Sequence, residues 1–326
     1  MIDRRSFLLT AGAASAAALL PREAVAASTV SVLYAGSLVT VFERSLVPAA
    51  AALGLEVHGE PKGSVELAKL ISGGLSNPDV FISADPVLIA GLMGQAGGGF
   101  ASWYATFAST RMVVGYSPRS PFARSFVEVA RGERRIADAL LQPGLRIGRT
   151  DPALDPKGYR TLIVAQLLQR DSGVPEFAEK LLGNPRNPSQ VLPEESMLVR
   201  LESGDLDAAF LYSTESAVRR LPAVELPANA NLGNPALNAT YESVSVVVDG
   251  VTRRSGAVAY ALTILRKAPN PEGAASFVEF LLTGRGRSLL SASGVRVIAP
   301  EFTGDRSAVP ASLRAALGLA DAAAPK

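Results

Sequence analysis

Apolar positions along this chain alternate between a period near two and a period near 3.6, and each switch marks a strand giving way to a helix. Ser31 to Ala35 is a short apolar strand running into the small-residue turn Gly36-Ser37. Val39, Phe42, Leu46, Val47, Ala50 and Leu53 then keep helical spacing, and Gly54 stops the helix. Leu55 to Gly59 alternates as a strand, a helix runs from Ser64 to Gly73-Gly74, and Asp79 to Ser83 is a strand. Asp85-Pro86 caps the next helix, with proline at its first position. Strands and helices in alternation imply a parallel sheet covered on both faces.

Beyond Trp103 the chain reads as irregular, then as a strand over Arg111 to Tyr116. Helices follow near Pro121 to Ala130 and Arg134 to Leu141, then a strand Arg146 to Gly148. Asp155-Pro156 opens a helix whose buried face carries Tyr159, Leu162, Ile163 and Leu167. A helix Glu194 to Glu202 precedes a strand Ala208 to Tyr212, and strands Ser243 to Val248 and Val258 to Leu265 lie either side of Asp249-Gly250. Pro271 starts a helix with Ala274, Phe277, Val278 and Leu281 on one face, and Gly284 ends it. The alanine-rich stretch beyond Pro310 reads as a helix with a frayed tail.

Two of the strand-to-helix turns carry candidate chemistry. Gly36 admits close backbone approach, and Ser37 stands where an N-cap belongs, ahead of amides with no partner inside the helix. Lys62-Gly63-Ser64 repeats the arrangement. Free amides at helix starts bind oxyanions, so two such starts, each just after a strand, point to one shared ligand.

Composition narrows the classes. Lys and Arg number 32 against 30 Asp and Glu, which suggests neither nucleic acid nor a polybasic membrane surface. Cysteine is absent, so disulfides, thiolate metal sites and a lipid-anchoring cysteine are excluded. The single histidine, His58, lies on a strand with no partner ligands and is set aside as a catalyst or metal site. Asp3-Arg4-Arg5-Ser6-Phe7-Leu8 precedes an Ala/Leu-rich segment ending at Leu20, followed by Ala24-Val25-Ala26. The apolar segment is short for a membrane span, so residues 1 to 26 read as a twin-arginine signal peptide cleaved near Ala26. The mature protein is then expected outside the cytoplasmic membrane, in the periplasm.

Ala35-Gly36-Ser37-Leu38, Gly63-Ser64-Val65, Trp103-Tyr104-x-x-Phe107-Ala108 with Met112-Val113, Asp151-Pro152-x-x-Asp155-Pro156-x-Gly158-Tyr159-Arg160, and Leu262-Thr263-Ile264 followed by Ala268-Pro269-Asn270-Pro271-Glu272 occur in that order. Together they resemble the tungstate/molybdate-binding proteins of ABC importers, over nearly the whole chain after residue 27. The resemblance implies an α/β fold of two lobes, mostly parallel sheets flanked by helices, joined by two hinge crossings. Residues 27–112 and 258–326 would form lobe one and 113–257 lobe two. It implies a non-enzymatic solute-binding protein, expected as a monomer, that takes molybdate or tungstate without a cofactor and delivers it to an ABC permease.

Ser37 and Ser64 would then donate from lobe one, while Asp155 and Tyr212 close from lobe two. Asp155 also reads as a simple helix cap, and Tyr212 as a structural tyrosine. In the family the aspartate can join the coordination of the metal atom, and a glutamate supplies a second carboxylate at the position aligned here with Leu211. Leucine cannot ligate. Glu215, four residues on, is the candidate replacement, or else a solvated residue of a helix first turn. With Leu211 in that place, the oxyanion is expected to be held closer to tetrahedral, mainly by serine hydroxyls and backbone amides, with Asp155 at the margin. Lys157, unusual beside its relatives, would add charge near the mouth or lie exposed. Two rivals remain: a binding protein for another small anion or ferric iron, and an exported phosphate or sulfate ester hydrolase. No Gly-x-Ser-x-Gly elbow, histidine cluster or plausible histidine base supports the hydrolase.

Overall fold

A computed structural model describes residues 28–319. The twin-arginine segment, residues 1–26, therefore lies outside the described residues. Twelve strands are assigned within them: β1 Ser28–Ala35, β2 Leu55–Lys62, β3 Val80–Ser83, β4 Trp103–Ser109, β5 Met112–Tyr116, β6 Ile147–Gly148, β7 Ala208–Tyr212, β8 Ala223–Glu225, β9 Val246–Val248, β10 Val251–Arg253, β11 Ala259–Ile264 and β12 Arg296–Gly304. They form a six-stranded sheet in the order β12-β4-β11-β3-β1-β2 and a four-stranded sheet in the order β6-β7-β5-β8. The remaining pair, β9 and β10, is a hairpin closed by Asp249-Gly250, both residues at positive φ.

Side-chain alternation along β1 builds the first lobe. Val30, Val32 and Tyr34 face Phe42, Phe277 and Val278, while Leu33 faces the other way, toward Leu67, Ile71 and Phe81. Both faces are thus buried, one largely beneath the helix Pro271–Leu282 and one beneath the helix Ser64–Ser72. The first helical segment is irregular, passing through a π turn at Phe42–Leu46. Pro48 offers no N–H to the helical ladder, and the Val47 N–H reaches back to the Phe42 carbonyl instead.

The two-lobe α/β architecture holds, but the sheets are mixed, not mostly parallel. β1 pairs in parallel with β2 and β3, and β6 with β7. The β11 pairs with β3 and β4, the β12 pair with β4, and the β5 pairs with β7 and β8 are antiparallel. The reason is the crossing. β4 runs into it and β11 runs out of it, so the two must oppose each other where they lie side by side. The stretch expected to be irregular after Trp103 is β4 itself. Only Thr110 and Arg111 separate β4 from β5, and the Thr110 amide donates to the Val258 carbonyl just before β11, at 3.2 Å.

Candidate functional site

The carboxyl ends of β1, β2 and β3 lie together, with β1 flanked by β2 on one side and β3 on the other. The chain reverses its direction of progress across the sheet at β1, and such a switch point leaves a crevice beyond the strand ends. Gly36 and Ser37 follow β1, Gly63 and Ser64 follow β2, and Ala84 and Asp85 follow β3.

Neither serine is the cap expected of it. Ala35 precedes the 3-10 turn Gly36–Leu38, and Gly63 is the N-cap of the Ser64 helix; neither start has a side-chain cap hydrogen bond. Ser64 sits one residue beyond its cap and Ser37 two. At Gly63 the reason is space: a Cβ there would collide with the Leu154 carbonyl of the second lobe. The lobes are in contact, since the Glu66 amide donates to that same carbonyl at 3.1 Å and Lys69 Nζ to the Ala153 carbonyl at 3.3 Å.

Three hydroxyls share one bonding pattern. Tyr260 donates its hydroxyl to Ser37 Oγ at 3.0 Å, the Ala84 amide donates to Ser64 Oγ at 3.1 Å, and Arg160 Nη1 donates to the Tyr212 hydroxyl at 2.7 Å. Each acceptor hydroxyl keeps its own proton to donate elsewhere. The three are linked: Arg160 Nη1 also bonds the Ala84 carbonyl at 2.7 Å, and the Tyr212 and Tyr260 rings meet edge to face at 6.3 Å. Burial raises the pKa of both phenols, keeping them neutral donors.

Three carboxylates surround one ammonium group on the second lobe's side. Asp155 caps the helix Pro156–Ser172, accepting from the Lys157 amide at 2.9 Å. Burial, and then the charge of Glu194, push its carboxyl up to about 6. Lys157 Nζ, fully buried, lies 2.7 Å from Glu194 Oε1 and 2.6 Å from Glu215 Oε1. Burial would depress its pKa, but Glu194, Glu215 and Asp155 hold it well above the ordinary lysine value. Both Glu215 oxygens are engaged, since its Oε2 accepts from the Tyr212 amide at 2.7 Å. Glu194 is hydrogen-bonded to Glu215 as well as to Lys157, and its Oε2 lies against the Gly36 turn, where a Cβ on that glycine would collide with it. Burial, against the pull of Lys157 and with Glu215 beside it, pushes the Glu194 carboxyl up to about 8. A groove of about 450 Å³ between the lobes, walled by Val39, Leu154, Val191 and Leu192, reaches Gly36, Asp155 and Glu194.

Of the expected site residues Asp155 lines this groove, while Ser37, Ser64 and Tyr212 are joined to one another through Tyr260, Ala84 and Arg160. Glu215 is buried and committed to Lys157 and the Tyr212 backbone, not solvated. Lys157 is neither at the mouth nor exposed. Leu211 is no site position at all: on β7 it points away from Tyr212, into a cluster with Val113, Met197, Leu198 and Leu201. Residues that sequence reasoning passed over are Glu194, Arg160, Asp85 and Tyr260. Glu194 begins its helix after Pro193 and looks like an ordinary first-turn acid. Asp85 was legible as a cap and is one, but its other oxygen takes the Tyr159 hydroxyl across the lobe boundary. His58 is exposed and bonds Glu56 at 3.1 Å.

The sequence over residues 30–296 matches the family model described as bacterial extracellular solute-binding protein. A Haloferax volcanii protein whose name gives it provisionally as an ABC transporter molybdenum-binding protein is 34% identical, across 93% of this chain and 95% of its own length. The molybdate/tungstate-binding protein WtpA of Pyrococcus abyssi is 28% identical, across 73% of this chain and 74% of its own. Among solved structures, the Azotobacter vinelandii periplasmic molybdate-binding protein superposes with a TM-score of 0.56 at 18% identity, covering 82% of this chain and 98% of its own. The sulfate-binding protein SubI of Mycobacterium tuberculosis gives 0.54 at 15% identity, covering 89% and 96%. At these identities the two structures establish the fold, and the family model and the Haloferax relative establish the lineage: this chain belongs to the bacterial extracellular solute-binding protein family.

Proposed function

We propose that this protein captures a tetrahedral metal oxyanion, molybdate or tungstate, between its lobes and delivers it to an ABC permease in the cytoplasmic membrane. The observation carrying this reading is the set of three hydroxyls, Ser37, Ser64 and Tyr212, each accepting one hydrogen bond from the protein and left with a proton to give. Such a set suits a ligand that only accepts. The helix starts at Gly36 and Ser64 add amides and positive dipole ends. The names of the Haloferax and Pyrococcus relatives point the same way.

Asp155 and Glu194 sharpen the choice of anion. One negative charge about 4 Å from another costs roughly 4 kcal/mol at an effective dielectric near 20, and a dianion about doubles that. A carboxylate beside a dianion must therefore ligate, share a proton or turn away. Molybdenum and tungsten accept further oxygen ligands and sulfate sulfur does not, so facing carboxylates disfavour sulfate beyond any difference in size. Lys157 occupies the place among the carboxylates that a bare cation would take, which speaks against ferric iron. The lobes are taken as residues 27–112 with 258–326, and 113–257. Export by the twin-arginine route, with cleavage near Ala26, and action as a periplasmic monomer without catalysis complete the proposal. Among the described residues no helix is long and apolar enough to cross a membrane.

Molybdate or tungstate is expected to raise the melting temperature, and equal sulfate much less. A ligand at a hundred times its dissociation constant adds about 2.7 kcal/mol if the unfolded chain does not bind it. An unmoved melting curve with either metal oxyanion at millimolar concentration would sink the assignment. Ser37→Ala and Ser64→Ala should each weaken binding by roughly 1.5 to 3 kcal/mol, the worth of a hydrogen bond to a charged group, while leaving the protein folded. Wild-type calorimetric affinity in both variants would remove the serines from the site.

A further inference from the structure

We infer that Tyr260 is a positioning residue for the anion: its hydroxyl takes a hydrogen bond from Thr214 of the second lobe and gives its own proton to Ser37, so that the Ser37 proton is turned toward the ligand. The inference rests on the oxyanion reading above and adds a residue that does not itself touch the anion. Tyr260 lies on β11 and is fully buried, and Thr214, in the helix Ser213–Arg219, is 2% exposed. Phenylalanine and valine would fill the same places without taking polar groups out of water.

Proton counting fixes the direction of the chain. The Tyr260 hydroxyl stands 3.0 Å from Ser37 Oγ and 3.3 Å from Thr214 Oγ1. It has one proton, and a phenol is a stronger acid than an aliphatic alcohol, so it donates, and it does so in the shorter bond, to Ser37. With that proton committed, Thr214 must be the donor in the other bond. Behind Thr214, Thr110 Oγ1 lies 3.5 Å from Thr214 Oγ1 and 3.1 Å from Ser213 Oγ, and the Thr110 amide is the one that bonds the Val258 carbonyl at the crossing. The hydroxyls thus run from the crossing between the lobes to the turn after β1. The Tyr212 ring, edge to face at 6.3 Å, steadies the phenol from the second lobe. An unfixed serine proton has three staggered positions, and a donor aimed at Oγ closes the one that faces it. Hydrogen bonds in a chain also polarise one another, which strengthens the last donor.

Calorimetry with sodium molybdate tests the role in a double-mutant cycle. It compares wild type, Tyr260→Phe, Ser37→Ala and Ser64→Ala with the two double variants that combine Tyr260→Phe with each serine change. Tyr260→Phe should weaken binding roughly fivefold to tenfold, less than Ser37→Ala does, because the serine keeps a hydrogen bond that is only less well directed. That loss should vanish, to within about twofold, in the Ser37→Ala background. It should persist in full in the Ser64→Ala background, since Ser64 takes its bond from the Ala84 amide instead. A merely structural role would show equally in both. Thr214→Val removes the donor behind the tyrosine and should lose affinity in the same pattern, and it decides the matter where Tyr260→Phe does not fold. Equal losses in both serine backgrounds, or wild-type affinity in folded Tyr260→Phe, would overturn the positioning role while leaving the oxyanion reading intact. A wild-type protein that binds neither molybdate nor tungstate would overturn the oxyanion reading, and this inference with it.

Discussion

Arg160→Met is expected to destabilise the protein by about 3 to 5 kcal/mol, the usual cost of removing one partner of a buried charge network. The guanidinium is 2% exposed and every edge of it is used. Nη1 bonds the Ala84 carbonyl and the Tyr212 hydroxyl at 2.7 Å each, Nε bonds Ser255 Oγ at 2.9 Å, and Nη2 stands 3.6 Å from Asp85 Oδ2. Methionine replaces the stem but none of these donors. It would leave the Asp85 carboxylate, which also caps a helix and accepts from Tyr159, buried without a cation. Because Ala84 and Asp85 follow β3 while Tyr159 and Arg160 lie on the Pro156 helix, the same change removes contacts between the lobes. Urea unfolding should show a lower midpoint with little change in slope. Arg160→Lys should recover only part of the loss, since a single ammonium nitrogen cannot reach the four partners that three guanidinium nitrogens contact. A midpoint shift worth less than about 0.5 kcal/mol in Arg160→Met, the range of ordinary surface substitutions, would mean that the network adds nothing net.

Periodicity revealed the α/β alternation because the core is built on it: Val30, Val32 and Tyr34 on one face of β1 and Leu33 on the other follow from the strand pleat alone. The serine turns were legible for the same reason, as small residues at strand-to-helix junctions. Their detailed role was displaced: Ser64 lies one position past its cap, Gly63, where the close approach of Leu154 requires glycine, and Ser37 lies two past Ala35. Lys157 was misjudged for a different reason. A lysine reads as exposed, and the carboxylates that bury it, Glu194 and Glu215, come from separate helices far along the chain. Leu211 could have been judged from parity: if Tyr212 faces the crevice, its strand neighbour must face away. The structure bears out that parity, since Phe210 and Tyr212 belong to one apolar cluster and Ala209 and Leu211 to another.

Leu211 changes what the bound metal is expected to show. A leucine in the ligating position would argue for a nearly tetrahedral oxyanion, but Leu211 packs in the core of the second lobe and neither donates nor withholds a ligand. A second carboxylate does reach the crevice, from Glu194, whose Oε2 rests against the Gly36 turn while its side chain is hydrogen-bonded to Lys157 and Glu215. Asp155 takes one hydrogen bond from the Lys157 amide and another from the Thr150 hydroxyl, so it would ligate through a lone pair those two donors leave. With four oxo groups and one oxygen from each carboxylate, X-ray absorption on the tungstate complex should count about six oxygens, an octahedral set. Glu194→Gln and Asp155→Asn should each lower that count, since a neutral amide oxygen is a poorer ligand and carries no charge to offset the metal. Glu215→Gln should leave it unchanged, because both Glu215 oxygens are already committed to Lys157 and to the Tyr212 backbone. A four-coordinate metal in the wild-type complex would mean that Asp155 and Glu194 turn away on binding, and that the serine and tyrosine hydroxyls hold the anion without them.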